Sequence, residues 1–399
     1  MKSSAFLKLR HRVGPLRRPA TAAIALLLVF ATNARTATAQ SSDWAATIEE
    51  LATTLAGDVR TDDVGGLVAG VVVQGDLVWA DAWGWADRDT RVPMSTASVS
   101  RTGSISKTVT ALLMMRLVDQ GVVGLDDPVE RHLPEFARVR DQRPGADVVT
   151  LRHLASHTAG IVREPDWRGS VVGPLNAWED RVLESLQHTS FDSIPGARYQ
   201  YSNIGFGALG LALSRAADRP FMAMVREEVF RPLGMTGSEF VVADGELAPR
   251  LATGYTRSRD GGISSDLPTR EHAGRGYKVP NGGVYSTVAD LGRFLGAIAG
   301  VPGLRVVSDA GRRAMTTIQT PESDERGYGL GLSIQRDDAG RTLVGHGGSV
   351  AGYTATMVVE PQSGVGVILL RNYGGGVTNL GAVAHSFTSA LAAIAERGN

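Results

Sequence analysis

Strand-forming segments stand at the two ends of this 399-residue chain, and a long helical stretch separates them. Near the start, Gly66 to Val73 and Leu77 to Ala82 are short runs rich in Val, Ala and Trp, joined by a turn at Gln74-Gly75-Asp76, the signature of a hairpin. Near the end, Tyr328 to Gln335, Arg341 to Val344, Tyr353 to Glu360 and Val365 to Asn372 read as four successive strands. Between them lies a helix from Ser104 to about Gln120, with Ile105, Val109, Leu112, Leu113 and Leu117 at helical spacing and Gly121 as its stop. Helices and loops rich in Pro and Gly continue to about Gly300, and helices at Trp44 to Val59 and Asn379 to Arg397 flank the whole. Strands this far apart can pair only if the chain folds back on itself. The expected fold is therefore α+β, an antiparallel sheet built from N- and C-terminal segments and flanked by helices, with a mostly helical lobe inserted at roughly 110–290. A cleft between sheet and lobe is the natural place for a site.

The first 39 residues carry Lys2, Lys8, Arg10, Arg12, Arg17, Arg18 and Arg35 and no acidic residue. An apolar core from Ala22 to Ala31 follows this basic region, and Ala37-Thr38-Ala39 offers a small-residue cleavage site before Gln40. The apolar run is about half the ~20 residues that span a bilayer, so residues 1–39 read as a cleaved signal peptide and 40–399 as one exported domain. The expected location is periplasmic or extracellular, with no later membrane span. The remainder holds 34 basic against 41 acidic residues, a net of 34 − 41 = −7, which argues against a nucleic-acid partner. With no cysteine in the sequence, a disulfide framework and a thiol nucleophile are both excluded. Oligomeric state is not legible at this level.

Chemistry enters with Ser104-Ile105-Ser106-Lys107 at the start of the predicted helix. A spacing of three places two side chains on one face, a single turn apart, so Ser104 and Lys107 meet without help from the rest of the fold. A serine hydroxyl is a poor nucleophile at neutral pH until a base lies within hydrogen-bond reach, and the lysine stands where that base is needed. Downstream come Tyr201-Ser202-Asn203 and, at the start of the C-terminal strands, Val344-Gly345-His346-Gly347-Gly348-Ser349.

With these three motifs in this order, the chain resembles the serine β-lactamase/DD-peptidase superfamily. The branch it looks like includes class C β-lactamases, Streptomyces-type DD-carboxypeptidases and family VIII esterases. The resemblance extends through Thr150-Leu151-Arg152-His153-Leu154-Ala155-Ser156-His157-Thr158-Ala159-Gly160, Pro232-Leu233-Gly234-Met235 and Pro280-Asn281-Gly282-Gly283-Val284-Tyr285-Ser286-Thr287. It implies that Ser104 attacks a carbonyl and holds the acyl group, with Lys107 and Tyr201 as proton carriers. Which of the two is the base stays open. Lys107 needs a pKa lowered by burial, and Tyr201 needs positive neighbours if its phenol is to ionise. Asn203 would bind the substrate amide and steady Lys107. His346, Gly348 and Ser349 would form the substrate-binding strand, with the N–H groups of Ser104 and Ser349 as an oxyanion hole. His346 stands where many relatives carry lysine, and a partly charged imidazole anchors a substrate carboxylate less firmly. The implied enzyme is a serine hydrolase without metal or organic cofactor, acting on a small molecule or a peptidoglycan peptide. A D-Ala-D-Ala carboxypeptidase-like activity leads. A short-chain carboxylesterase and a non-turnover penicillin- or peptidoglycan-binding module are the alternatives.

Other motifs read as structural. Gly205-Phe206-Gly207-Ala208-Leu209-Gly210 matches a dinucleotide fingerprint, but no strand precedes it, so helix packing is expected. His153 and His157, four apart, lack a third ligand and are expected to serve capping or core roles. Ser349 in Gly347-Gly348-Ser349 lacks the strand-turn-helix setting of a nucleophile elbow. Ser106 points about 200° away from Ser104 around the helix.

Overall fold

A computed structural model describes residues 43–142, 148–242, 244–321, 323 and 325–398. The expected signal peptide at 1–39 lies outside the described residues. The centre is a nine-stranded antiparallel sheet. Its strand order is Val92–Pro93, Asp76–Asp87, Gly66–Val73, Val365–Arg371, Tyr353–Glu360, Thr342–Val350, Ser333–Arg336, Arg326–Tyr328 and Thr320–Pro321. The two ends of the chain meet where Gly66–Val73 pairs with Val365–Arg371, in a register that sets Val68 opposite Leu370 and Val71 opposite Val367.

Both central strands are buried on both faces, and their alternation says what covers each face. Val68, Val72, Ile368 and Leu370 point into the larger core, under the helix Val288–Ala299 and the helical lobe. Leu67, Ala69, Val71, Val365, Val367 and Leu369 point the other way. There they meet Leu51, Leu55 and Val59 of the first helix (43–62) and Leu391, Ala392 and Ile394 of the last, Leu380–Gly398. The first hairpin turns in two residues, Gln74 (φ 52°) and Gly75 (φ 82°), the positive pair that matches strand twist.

The strand expected over Tyr328 to Gln335 is two strands, Arg326–Tyr328 and Ser333–Arg336. The helix Ile105–Asp119 presses on the bend between them: a Cβ on Gly331 (φ 68°) would lie 2.5 Å from the Cβ of Ala111. The neighbouring strand is longer than expected. Thr342–Val350 stays extended through its glycines because Tyr353–Glu360 pairs with it all the way, Gly345 opposite Val358 and Ser349 opposite Thr354.

The helix Ile105–Asp119 is buried all round, as a helix through the middle of a domain must be. Its polar residues are satisfied locally. Thr108 Oγ1 donates to Gly331 O at 2.6 Å, and Thr110 Oγ1 donates to Pro280 O at 2.6 Å. Ser106 Oγ donates to Gly103 O at 2.7 Å and accepts from Val284 N at 3.0 Å, so it knits the turn rather than joining any chemistry.

Candidate active site

Ser104 caps the N-terminus of Ile105–Asp119, where unsatisfied N–H groups and the helix dipole favour negative charge. The turn before it lies against Thr342–Val350 so closely that only glycine fits on either side. A Cβ on Gly103 (φ 54°) would lie 2.9 Å from Ser349 N. A Cβ on Gly348 would lie 1.9 Å from Thr102 O and 3.1 Å from Ser104 N. The two glycines thus let the backbone around Ser104 and the backbone around Ser349 approach closely.

Lys107 is completely buried. Its Nζ is 3.1 Å from Ser104 Oγ and donates to Asn203 Oδ1 at 2.7 Å and Asn281 O at 3.2 Å. Burial, reinforced by the Arg163 charge, pushes its pKa well below the usual lysine value. A neutral amine has two N–H bonds. An amine in that form, donating to Asn203 and Asn281, would turn its lone pair toward the Ser104 O–H.

Tyr201 completes the triangle. Its phenol hydrogen-bonds Ser104, and the Lys107 Nζ lies 4.7 Å from its ring centroid. The positive neighbours that a phenolate would need are outweighed. Burial raises the Tyr201 pKa to about 12, outweighing the lowering by Ser104 and Arg163. Burial thus acts on both groups in the direction of the uncharged form, a neutral amine at Lys107 and a protonated phenol at Tyr201.

Three consecutive residues clasp the Tyr-Ser-Asn segment. Ser202 Oγ donates to Val162 O at 2.8 Å, Asn203 N donates to Arg163 O at 2.9 Å, and Asn203 Nδ2 donates to Glu164 Oε1 at 2.6 Å. Glu164 also accepts from Tyr277 Oη and from Lys278 Nζ at 3.3 Å. Burial alone would raise the Glu164 pKa, but Lys278 and these hydrogen bonds together hold it below the ordinary value. Sequence reasoning missed Arg163, Glu164, Tyr277 and Lys278. The only signal for them was their nearness to the His157-Thr158-Ala159-Gly160 run and to Pro280-Asn281.

His346 departs from expectation in its charge. The ring is buried, and burial followed by the Lys107 field lowers its pKa to about 4. Nδ1 lies 2.5 Å from Gly347 O, a carbonyl that only accepts, so Nδ1 carries the hydrogen. Nε2 then accepts from Tyr328 Oη at 2.9 Å. The partly charged, substrate-facing imidazole read from the sequence is instead a neutral ring with both nitrogens engaged.

The remaining motifs have structural roles. Gly207 and Gly210 lie on the helix Asn203–Ala217, where added Cβ atoms would meet Tyr277 Cδ2 at 3.0 Å and Pro280 Cγ at 2.3 Å. His153 helps cap the helix Leu151–Ala155, its Nδ1 accepting from Thr150 N at 3.3 Å. His157 is buried beyond that helix. Among the described residues no group of three or more His, Asp or Glu is arranged to hold a metal ion, and no helix is long and apolar enough to cross a membrane.

A family profile described as Beta-lactamase matches residues 45–385. The chain belongs to the Beta-lactamase family. As a member it is a serine hydrolase. It is 32% identical to the esterase EstB of Burkholderia gladioli over 342 residues, 77% of this chain and 86% of that one. Among solved structures it is similar to the octameric penicillin-binding protein homologue from Pyrococcus abyssi, with TM-score 0.72 and 26% identity over 87% of this chain and 77% of that one. It is also similar to a D-stereospecific amidohydrolase from Streptomyces, with TM-score 0.67 and 26% identity over 83% of this chain and 95% of that one. This Beta-lactamase family member has the antiparallel sheet and flanking helices expected from its sequence.

Proposed function

We propose that the protein is an exported acyl-transfer hydrolase that works through an ester on Ser104 and prefers ester substrates. The carrying observation is the 3.1 Å separation of Ser104 Oγ and Lys107 Nζ, with the N–H bonds of that amine used on Asn203 and Asn281. Neutral Lys107 accepts the hydroxyl proton as Oγ adds to the substrate carbonyl. The oxyanion lies between the amides of Ser104 and Ser349, where one lost donor costs ~10²–10³ in rate. As the tetrahedral adduct collapses, Tyr201 passes its proton to the leaving group and is reprotonated at the expense of the Lys107 ammonium, so that the amine is neutral and the phenol protonated again. Water then repeats the sequence on the acyl-enzyme, and Ser104 is regenerated.

Neutral His346 supports the ester preference, because it supplies no cation for a substrate carboxylate. Similarity to an esterase over most of both chains supports it further. A D-Ala-D-Ala carboxypeptidase is the second reading, and Arg163 favours it. That exposed guanidinium lies 4.8 Å from the Tyr201 ring centroid, close enough to meet a substrate carboxylate. Export rests on the basic, acid-free stretch at 1–39.

The test is a panel of p-nitrophenyl butyrate, a D-Ala-D-Ala peptide and a chromogenic cephalosporin, with the acylated peptide mapped by mass. Turnover of the butyrate above the other two, with the adduct on Ser104, is expected. Turnover by Ser104→Ala at the wild-type rate would end the mechanism.

A further inference from the structure

The mechanism above leaves one buried titratable group unused. His157 is 1% exposed and lies against the catalytic phenol, its ring centroid 4.2 Å from that of Tyr201 and their planes 36° apart. The rings of Tyr328, Phe206 and Tyr199 surround it at 4.8, 5.0 and 5.8 Å. Its backbone takes the left-handed conformation, φ 59°, which is uncommon for a residue with a Cβ and signals a position that the surroundings hold in place.

That conformation lets one residue hold both flanks of Tyr201. Gln200 N donates to the carbonyl of His157 at 2.7 Å, and Ser202 N donates to its ring Nδ1 at 3.0 Å. The backbone amides immediately before and after Tyr201 are thus both tied to His157, while the imidazole packs on the phenol ring between them. A backbone N–H can only donate, so Nδ1 must keep its lone pair and the neutral ring carries its hydrogen on Nε2. Nε2 is buried and has no hydrogen-bond partner among the described residues.

We infer that His157 is a positioning residue for the catalytic phenol, clamping residues 200–202 in one conformation as the Nε2–H tautomer. This rests on the acyl-Ser104 reading. The groups that face the ring from neighbouring elements all act in the same sense. Burial is the largest influence against a second proton on it; the Arg163 charge acts in the same sense, as would any positive charge on Lys107 or His346. A doubly protonated ring would turn a donor toward the Ser202 N–H and release that side of the clamp. The clamp acts on the geometry of proton transfer rather than on substrate contact, so its loss falls on kcat.

The experiment pairs two substitutions with a measurement on the unaltered enzyme. In Asn, Oδ1 occupies the place of the imidazole Nδ1, and Asn is among the residues that tolerate the left-handed conformation. Phe keeps a ring against Tyr201 but cannot accept from Ser202. With p-nitrophenyl butyrate, His157→Phe is expected to lose ~10–10² in kcat, the effect of ~1.5–3 kcal/mol, with KM held within ~3-fold, and His157→Asn to recover most of the loss. Nitrogen-resolved NMR of histidine-labelled wild-type protein is expected to find His157 as the Nε2–H tautomer throughout pH 5–9. Equal rates for His157→Phe and wild type, a loss confined to KM, or an Nδ1–H or doubly protonated ring near pH 7 would each overturn the inference. The NMR arm needs no variant to fold. Ser104→Ala in the same assay separates the two ideas. If it is inactive while His157→Phe is fully active, only the clamp fails; if it is fully active, the acyl-enzyme reading itself fails.

Discussion

The amine of Lys107 is closer to Asn203 than to the serine it would activate, 2.7 Å from Asn203 Oδ1 against 3.1 Å from Ser104 Oγ. Asn203 in turn gives its amide hydrogen to Glu164 at 2.6 Å, so a neutral side chain stands between a buried amine and a carboxylate. That spacing keeps the carboxylate out of direct contact with the amine, whose pKa is lowered by burial and by Arg163 against the opposing pull of Glu164. Asn203→Asp would put an anion against Nζ and stabilise the ammonium. The expected outcome is a rise in the apparent pKa of Lys107, so that the acid limb of the rate profile moves to higher pH and activity at pH 7 falls steeply. Asn203→Leu would leave the amine short of one acceptor and lose ~10–10² in the acylation rate without that displacement. Single-turnover acylation across pH distinguishes the two.

The pH dependence of the native enzyme follows from the same groups. Lys107 must be unprotonated to accept from Ser104, and its folded pKa lies well below the ordinary lysine value because of burial. Activity therefore rises as pH increases through that lowered value. Tyr201, with its pKa raised to about 12, keeps its proton through the range of ordinary assays, so no alkaline limb from its ionisation appears below pH 10. His346, lowered to about 4, changes charge outside pH 6–8. Initial rates of p-nitrophenyl butyrate hydrolysis, corrected for the uncatalysed reaction, are expected to show one acid limb governed by Lys107. An inflection near pH 6.5 that disappears in His346→Gln would contradict the neutral imidazole.

Two adjacent glycines offer a sharp contrast. A methyl on Gly348 would lie 1.9 Å from Thr102 O, whereas one on Gly347 meets only Ala355 O, at 3.9 Å. Gly348→Ala forces the strand away from the Thr102–Ser104 turn and separates the Ser104 and Ser349 amides. Loss of one oxyanion donor costs ~10²–10³ in rate, and this is the expected fall in kcat for Gly348→Ala. Gly347→Ala loses far less. Steady-state kinetics alongside thermal midpoints separate an effect on the site from an effect on folding.

The parts of this protein legible in its sequence are those fixed by local spacing. The unbroken apolar run Gly66–Val73 announces a strand, and three-residue spacing alone puts Lys107 beside Ser104. The bend at Gly331 was not legible, because it is imposed by Ala111, more than two hundred residues away in sequence. Glu164 was missed for a similar reason. It matters only because Val162, Arg163 and Glu164 lie alongside Ser202 and Asn203 in space. The charge states of Tyr201 and His346 depend on desolvation, which no motif encodes. For Tyr201 the sequence left open whether cationic neighbours favour a phenolate, and burial outweighs the lowering by Arg163.

Arg163 is where substrate preference can be tested most directly. Its guanidinium lies 4.8 Å from the Tyr201 ring centroid, and among the described residues no carboxylate forms an ion pair with it. Lys278 has its charge matched by Glu164 at 3.3 Å, and burial disfavours charge on Lys107 and His346, so among the described residues Arg163 is a positive charge at this edge of the site without an ion-pair partner. A carboxylate on an acyl donor gains a solvent-screened charge-assisted hydrogen bond there, about 0.2–1 kcal/mol, whereas a neutral donor gains none. Arg163→Gln is therefore expected to lower the ratio of kcat/KM for a carboxylate-bearing donor over its matched amide by ~1.5–5-fold. Arg163→Lys should keep most of the ratio. Because the group is exposed, raising ionic strength should erode the preference of the wild-type enzyme in the same direction. A ratio unchanged in Arg163→Gln would remove the main support for the carboxypeptidase reading and leave the ester reading alone.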